Sequence, residues 1–328
     1  METHLSISPS VVSSFSSQNI MLKQMDRPGF VIEPIEAQPT AQSLASLVDS
    51  TRTLARPPIS NFRVAAVGLG SSGRIYVGVN LEFPGLPLHH SVHAEQFLVT
   101  NLLLNGETSL TSFAVSAAPC GHCRQFLQEL RDSENIQILI ISDNNDQFTP
   151  LSDFLPHRFG PLDLFPEGSP FLLEPRNNGL KLTTRTRMDR DDEDVNLRSN
   201  NGVVCNGHGT VVDDEKLKIA ALEAANASHA PYSGSPSGVA LVDCGGKVYK
   251  GSYMESAAFN PSLGPVQAAV VAFVAGGGGG YDEIVGAVLV EKEGAPVRQE
   301  ETARLLMRSI SATCSFQALL CCSDSNYV

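Results

Sequence analysis

A chain of 328 residues that is 42% hydrophobic and 18% charged has room for about two domains of roughly 150 residues each, and its composition is that of a folded protein. A formal net charge of -12 without basic runs argues against a nucleic-acid or anionic-membrane partner, because phosphate neutralisation needs clustered Lys and Arg. Seven cysteines in no framework spacing suit a reducing, cytoplasmic compartment, and no apolar run reaches the roughly 18 residues of a membrane span.

Residues 1–38 are polar and interrupted by prolines, without a secretory pattern, and read as a mobile lead-in. "TAQSLASLVDSTRTLA" places Leu44, Leu47, Val48, Thr51 and Leu54 on one helical face, with Thr40 as the cap. "FRVAAVGLG" and "RIYVGVNLEF" read as strands around an "SSG" turn. "VHAEQFLVTNLLLNG" is a helix closed by Gly106, "LTSFAVSAA" a strand, and "GHCRQFLQELRD" a second helix. "IQILIIS" is the continuously apolar kind of strand that is covered on both faces. The order helix–strand–strand–helix–strand–helix–strand predicts an α/β sandwich with helices on a sheet.

Residues 176–215 are polar and carry a charge run, so they read as a solvated linker. Beyond them the pattern restarts. "RPPISNFRVAAVGL" resembles "APYSGSPSGVALVD", and "RIYVGVNLEF" resembles "KVYKGSYMES", at one offset of 173 residues that also carries Glu82 onto Glu255. "SFAVSAA" has its match in "IVGAVLV", and "AGGGGGYD" reads as a flexible connector. Copies of this length are two domains rather than solenoid repeats. The expected division is a lead-in at 1–38, a first domain at 39–175, a linker at 176–215, a degenerate copy at 216–315 and a tail at 316–328. At the constant offset, His93 and Glu95 fall on Val266 and Ala268, and Cys120 and Cys123 on Glu293 and Pro296, so the second copy lacks the candidate ligands. Tyr253 stands opposite Asn80.

The chemistry concentrates in two short stretches. "HAE" at 93–95 and "PCGHC" at 119–123 put one imidazole and two thiols at the starts of two helices. Helix N-termini favour thiolate, and His93, Cys120 and Cys123 suit one zinc ion per chain with a fourth tetrahedral position left for water. Zinc-bound water yields hydroxide near neutral pH, and Glu95, two residues beyond His93, is placed to shuttle its proton. His122 reads as lying outside the ligand set, and neither His89 nor His90 is followed by Ala-Glu.

The His-x-Glu and Pro-Cys-x-x-Cys pair marks zinc nucleobase deaminases. Over roughly 40–175 and 215–315 the chain resembles the cytidine deaminases of nucleoside salvage, of the homodimeric kind with a catalytic domain and a degenerate copy. That resemblance implies a cytidine deaminase-like three-layer α/β/α sandwich, duplicated within the chain. It also implies a hydrolase that converts cytidine, and deoxycytidine, to uridine or deoxyuridine and ammonia, as a homodimer with a small-molecule nucleoside as its partner. "VNLEF" resembles the family's Asn-x-Glu element, which implies that Asn80 and Glu82 bind ribose hydroxyls. "PISNF" resembles the segment whose aromatic lies beside the pyrimidine, which points to Phe62; a plain core residue is the alternative. Main-chain groups near Ala94 and Ala118 are expected to meet the base edge. "FLPHRFGPLDL" resembles the end of the catalytic domain, from which Phe159 would reach the partner subunit's site. A polynucleotide cytosine deaminase would need a basic groove and stacking aromatics, and a non-catalytic, zinc-stabilised protein would have no use for Glu95.

Overall fold

The computed structural model describes residues 29–33, 40–143, 147–166, 168–183, 203–204, 211–212 and 214–323. The first half holds β1 (Val31–Ile32), α1 (Ala41–Thr51), β2 (Ala65–Gly70), β3 (Ile75–Val79), α2 (Ala94–Leu104), β4 (Leu110–Val115), α3 (Gly121–Phe126), β5 (Gln137–Ile140), β6 (Thr149–Pro150), α4 (Leu151–Phe154) and α5 (Pro161–Leu164). The second half holds β7 (Leu180–Leu182), β8 (Val203–Val204), β9 (Val211–Val212), α6 (Asp214–Asn226), β10 (Ser237–Asp243), β11 (Val248–Ser252), α7 (Pro265–Ala275), β12 (Ile284–Lys292), α8 (Glu300–Ile310) and β13 (Ser315–Ser323).

The expected element order runs from α1 to β5 and again from α6 to β13. The first sheet has the order β1-β3-β2-β4-β5-β6 and the second β11-β10-β12-β13-β7. In each, two strands and a third pair antiparallel, and a fourth joins parallel, β5 beside β4 and β13 beside β12. The parallel pairs require crossovers, which α3 and α8 supply. Helices cover both faces of the second sheet. A side chain at Gly238 would strike Ala225 of α6, whereas one at Gly251 would strike Ala269 of α7. Gly251 pairs with Val239, one residue along from Gly238 and therefore on the opposite face. Val239 and Leu241 accordingly join the core beneath α7, and Ala240 and Val242 the core beneath α6.

The pairing changes several expectations. Val31–Ile32, within the expected mobile lead-in, pairs with β3, and Phe30 stacks on Phe97 at 5.1 Å between centroids; the rest of 1–28 and 34–38 lies outside the described residues. Leu180–Leu182, within the expected linker, is the edge strand beside β13. Ser315–Ser323, most of the expected tail, is an inner strand of the second sheet. Cys205 lies outside the described residues. The second helix is shorter than its pattern, ending at Phe126 in a 3-10 turn over Leu127–Glu129. That turn aims the fully buried Glu129 at the second copy, where it accepts from the Ala257 N–H (2.7 Å), the Tyr232 hydroxyl (2.6 Å) and His229 Nε2 (3.2 Å).

The two copies meet through α2 and α7, which pack on each other. Residues Ala94–Leu102 and Pro265–Val274 are all buried, which is why neither helix carries a polar stripe. Each helix also sits directly on its own sheet through a glycine. A Cβ on Gly78 would lie 2.1 Å from the Ala94 carbonyl oxygen, and one on Gly251 would lie 2.0 Å from the Ala269 nitrogen. These glycines are 173 residues apart, so the close strand–helix approach is duplicated with the fold. Gly78→Ala should push α2 off β3 and lower stability by about 1–3 kcal/mol, as overpacking of a close contact does. A thermal unfolding midpoint equal to that of the unaltered chain would contradict this packing.

Candidate metal centre and substrate cavity

Two helix starts converge on one point. His93 is the N-cap of α2, in extended conformation at φ -80° and ψ 156°. The bridge between Leu81 and Val92 holds the incoming chain, and the His93 N–H donates to Gln96 Oε1 at 3.3 Å. Cys120 is the N-cap of α3. Its loop is tied down by Arg124, which donates to the carbonyls of Pro119 (2.7 Å) and Phe154 (3.1 Å) and lies over the Phe154 ring. One helical turn then brings Cys123 beside Cys120.

The three donors fit a tetrahedral zinc ion. His93 Nδ1 lies 3.4 Å from Cys120 Sγ and 3.3 Å from Cys123 Sγ, and the two sulfurs are 3.7 Å apart. Ordinary zinc–ligand lengths would set the sulfurs about 3.8 Å from each other and the nitrogen about 3.6 Å from each sulfur. Among the described residues no other His, Cys, Asp or Glu trio clusters in this way. One imidazole and two thiols supply three donors, and Glu95 stands beside them, its Oε2 accepting from Cys123 Sγ at 3.3 Å.

Contacts with the Cys123 thiol and the His93 ring bring the Cys120 thiol down to about 3. The same contact and burial push Cys123 up, and contact with Cys120 raises His93. A bound dication reverses the order at Cys123, because coordination deprotonates a thiol outright. Glu95 is buried, and desolvation raises its carboxyl above the usual range. A carboxyl raised by burial beside a metal centre is suited to exchanging a proton.

A cavity of about 280 Å³ opens beside the centre, lined by Phe62, Asn80, Glu82, His93, Ala94, Glu95 and Cys120, together with Ser60, Val64, Ala117 and Ala118. Every expected site residue except Phe159 and the buried Cys123 lies on its wall. Phe159 sits outside it with its ring exposed, its carbonyl accepting from Gln125. Phe62 is 58% exposed, which removes the core alternative. His89 and His90 stand apart from the metal cluster on a 3-10 turn. His122 Nε2 contacts the Asn260 carbonyl at 3.1 Å.

Ser60 is a residue that motif reasoning passes over. Glu82 accepts from the N–H groups of Ile59 (2.8 Å) and Ser60 (2.9 Å) and from the Ser60 hydroxyl (2.5 Å). Burial pushes its carboxyl up, but these hydrogen bonds outweigh it and hold the group below the usual range. Asn80 accepts from the Val64 N–H and donates to the Phe62 carbonyl, both at 2.9 Å. The two side chains thus brace the loop that carries Phe62. Glu255 does the same in the second copy, accepting from Tyr232, Ser233 N–H and the Ser233 hydroxyl. The duplicated "Pro-x-Ser" or "Tyr-Ser" turn facing a glutamate was the available signal.

The second copy has no metal trio, although its residue equivalences differ from a constant offset. Met254 pairs with Leu263 as Leu81 pairs with Val92, so the segment before α7 is two residues shorter than that before α2. Helix starts therefore match His93 with Gly264 rather than Val266, and Cys120 with Gln299 rather than Glu293. A larger cavity of about 650 Å³ between the copies is lined by Gly264, Val266, Gln299 and Thr302 together with His89 and His90. Its wall also includes His93 and His122 of the first copy.

Two family models, each described as the cytidine and deoxycytidylate deaminase zinc-binding region, match residues 39–139 and 151–304. The second match extends over the copy that lacks the ligands. Cytidine deaminase 1 of Arabidopsis thaliana is 58% identical over 316 residues, covering 90% of this chain and 99% of that protein. Cytidine deaminase 6 of Arabidopsis thaliana is 48% identical, covering 89% and 97%. A cytidine deaminase of Photorhabdus laumondii is 39% identical, covering 82% and 76%.

Cys123→Ala removes a fully buried donor and should reduce zinc well below one equivalent per chain, measured by elemental analysis of the purified protein. Full zinc retention in that variant would rule out the proposed trio.

Proposed function

The chain belongs to the cytidine and deoxycytidylate deaminase family, and on that premise we propose how its own residues carry out the reaction. It is a zinc-dependent enzyme that deaminates cytidine, and the observation carrying the site assignment is the His93, Cys120 and Cys123 trio with Glu95 beside it. His93, Cys120 and Cys123 would hold the ion, which when bound acts as a Lewis acid and acidifies water. Glu95 takes a proton from the attacking water and delivers it to ring N3 while the new C–O bond forms at C4. It then returns the remaining hydroxyl proton to the amino group, so that the C4–N bond breaks and ammonia and uridine leave. Burial raises the Glu95 carboxyl above its ordinary range, which suits a group that both takes and returns a proton.

Asn80 and Glu82 would meet the ribose hydroxyls, with lone pairs and N–H groups left over from bracing the loop. Phe62 would lie against the pyrimidine, and main chain near Ala94 and Ala118 would meet the base edge. Deoxycytidine is a second proposed substrate, since neither residue is tied to the 2′ hydroxyl alone. The catalytic unit is proposed as residues 39–175 and the degenerate one as 216–315, with β7 and β13 completing its sheet. A homodimer is proposed because Phe62, which lines the cavity, and Phe159 and Phe259 are all exposed, so that a second copy would cover them. A role in cytoplasmic pyrimidine salvage, with no nucleic-acid partner, is supported by the net charge of -12 and by unpaired cysteines throughout the described residues. No helix among those residues is long and apolar enough to cross a membrane.

The purified chain should turn over cytidine, seen as loss of ultraviolet absorbance, with one zinc per chain and a sedimentation mass of two chains. Glu95→Ala should retain zinc and lose about 10²–10⁴-fold in kcat, the scale of proton-transfer catalysis. Near-normal turnover in that variant would remove the proton shuttle, and a monomer at full activity would remove the homodimer. Ser60→Ala and Glu82→Ala separate the two duties of Glu82. The first loosens only the loop, whereas the second should raise KM for cytidine far more and leave free cytosine little affected. Equal KM effects in the two variants would leave Glu82 as a brace alone.

A further inference from the structure

We propose that Arg56 is a positioning residue through which the degenerate copy holds the nucleoside-binding end of β3 in place, an inference that rests on the site reading above. Its main chain lies beside that end. The Arg56 N–H donates to the Asn80 carbonyl at 3.0 Å, and the Arg56 carbonyl accepts from the Glu82 N–H at 3.0 Å. The backbone of one residue therefore brackets both proposed ribose contacts.

Its side chain goes to the other copy. Nη1 donates to the Gly279 carbonyl at 2.6 Å and Nη2 to the Gly278 carbonyl at 2.7 Å. The guanidinium also lies over the Tyr281 ring, 5.3 Å from its centroid. Tyr281 in turn packs on Phe83, the residue after Glu82, at 5.8 Å between centroids. The circuit thus leaves the first copy at Arg56, crosses the glycine run, and returns at Phe83.

The glycine run is a fitted receptor for the guanidinium, not the slack connector that its composition predicts. The Gly278 N–H donates to the Phe273 carbonyl at 2.9 Å, and the Gly279 N–H to Glu283 Oε2 at 3.1 Å. The Gly276 carbonyl accepts from Lys247 Nζ at 2.6 Å. A Cβ on Gly278 would lie 2.4 Å from the Phe273 ring, and one on Gly279 would lie 2.2 Å from Glu283 Oε1. Two adjacent carbonyls are left facing one side, and a planar fork with parallel N–H groups matches them where a lysine ammonium does not.

The consequence falls on binding rather than on chemistry. The N-termini of α2 and α3 place the metal donors and Glu95; Arg56 hydrogen-bonds to neither helix start, and Leu81, between the two bracketed residues, has its own two-way pairing with Val92 ahead of His93, which does not use the guanidinium. Release of the fork frees the bracket around Asn80 and Glu82. The test uses the full chain with zinc bound, as Arg56→Lys and Arg56→Ala. Arg56→Lys keeps the charge and the stem, so it carries the experiment should Arg56→Ala fail to fold. The expected result is a KM for cytidine about tenfold higher in Arg56→Lys, matching the loss of one charged hydrogen bond. kcat should stay within about twofold, the pattern of lost uniform binding, with zinc content unchanged. Hydrogen exchange at the Glu82 amide should accelerate, while α2 keeps its protection.

An unchanged KM with a lowered melting temperature would overturn the proposal, leaving the contact as a stabilising bridge. A fall in kcat or in zinc content at constant KM would overturn it as well. An unaltered chain unable to deaminate cytidine would sink the parent reading instead. The exchange measurement then stands alone, and unchanged exchange at Glu82 in Arg56→Lys overturns the bracket.

Discussion

The candidate site in this fold depends on two helix N-termini meeting beyond the C-terminal ends of β3 and β4 in one sheet. His93 and Cys120 are both N-cap residues, the first residues whose side chains face the space ahead of a helix. Free N–H groups and the positive end of each helix favour thiolate there. The strands behind them decide where the helices start. Gly78 lets α2 lie against β3 at backbone contact, and Arg124 clamps the loop ahead of α3. The metal donors come within 3.7 Å of one another because sheet packing sets the helix starts, with no local hairpin involved.

The second copy has lost its donors and kept its architecture, and the contacts around the site give a physical reason for its retention. Gln96, whose Oε1 accepts from the His93 N–H at the start of α2, donates from Nε2 to the Pro261 carbonyl of the second copy at 3.2 Å. His122, between the two cysteines, contacts the Asn260 carbonyl. Glu129, just past α3, is wholly buried in donors from Tyr232, His229 and Ala257. A buried carboxylate left without those donors would be costly, so the first copy is built to fold against the second. A shared core through α2 and α7 reinforces the same dependence.

The duplication also clarifies what a conserved-looking glutamate can mean within one chain. Glu82 and Glu255 make equivalent hydrogen bonds to equivalent turns, yet only Glu82 has a metal centre nearby. Bracing the turn is thus the duty the two copies share at this position. The asparagine two residues before Glu82 has no such twin, since Tyr253 occupies the matching place.

Much of this was legible in the amino-acid order. Period and capping signals located the helices and strands of the first copy, the repeat disclosed the second, and two motifs 27 residues apart named the metal donors and Glu95, because these depend on residue type and short-range spacing. The inner strand Ser315–Ser323 and the edge strand Leu180–Leu182 were not legible, since each is a strand only through partners far away in the chain. The two-residue shortening before α7, the burial of Glu129 and the capture of the glycine run by Arg56 were likewise decided by tertiary structure. Composition makes glycines flexible in an unfolded chain, whereas in the folded one their backbone groups are held by Phe273, Glu283 and Lys247 and by a guanidinium more than two hundred residues away.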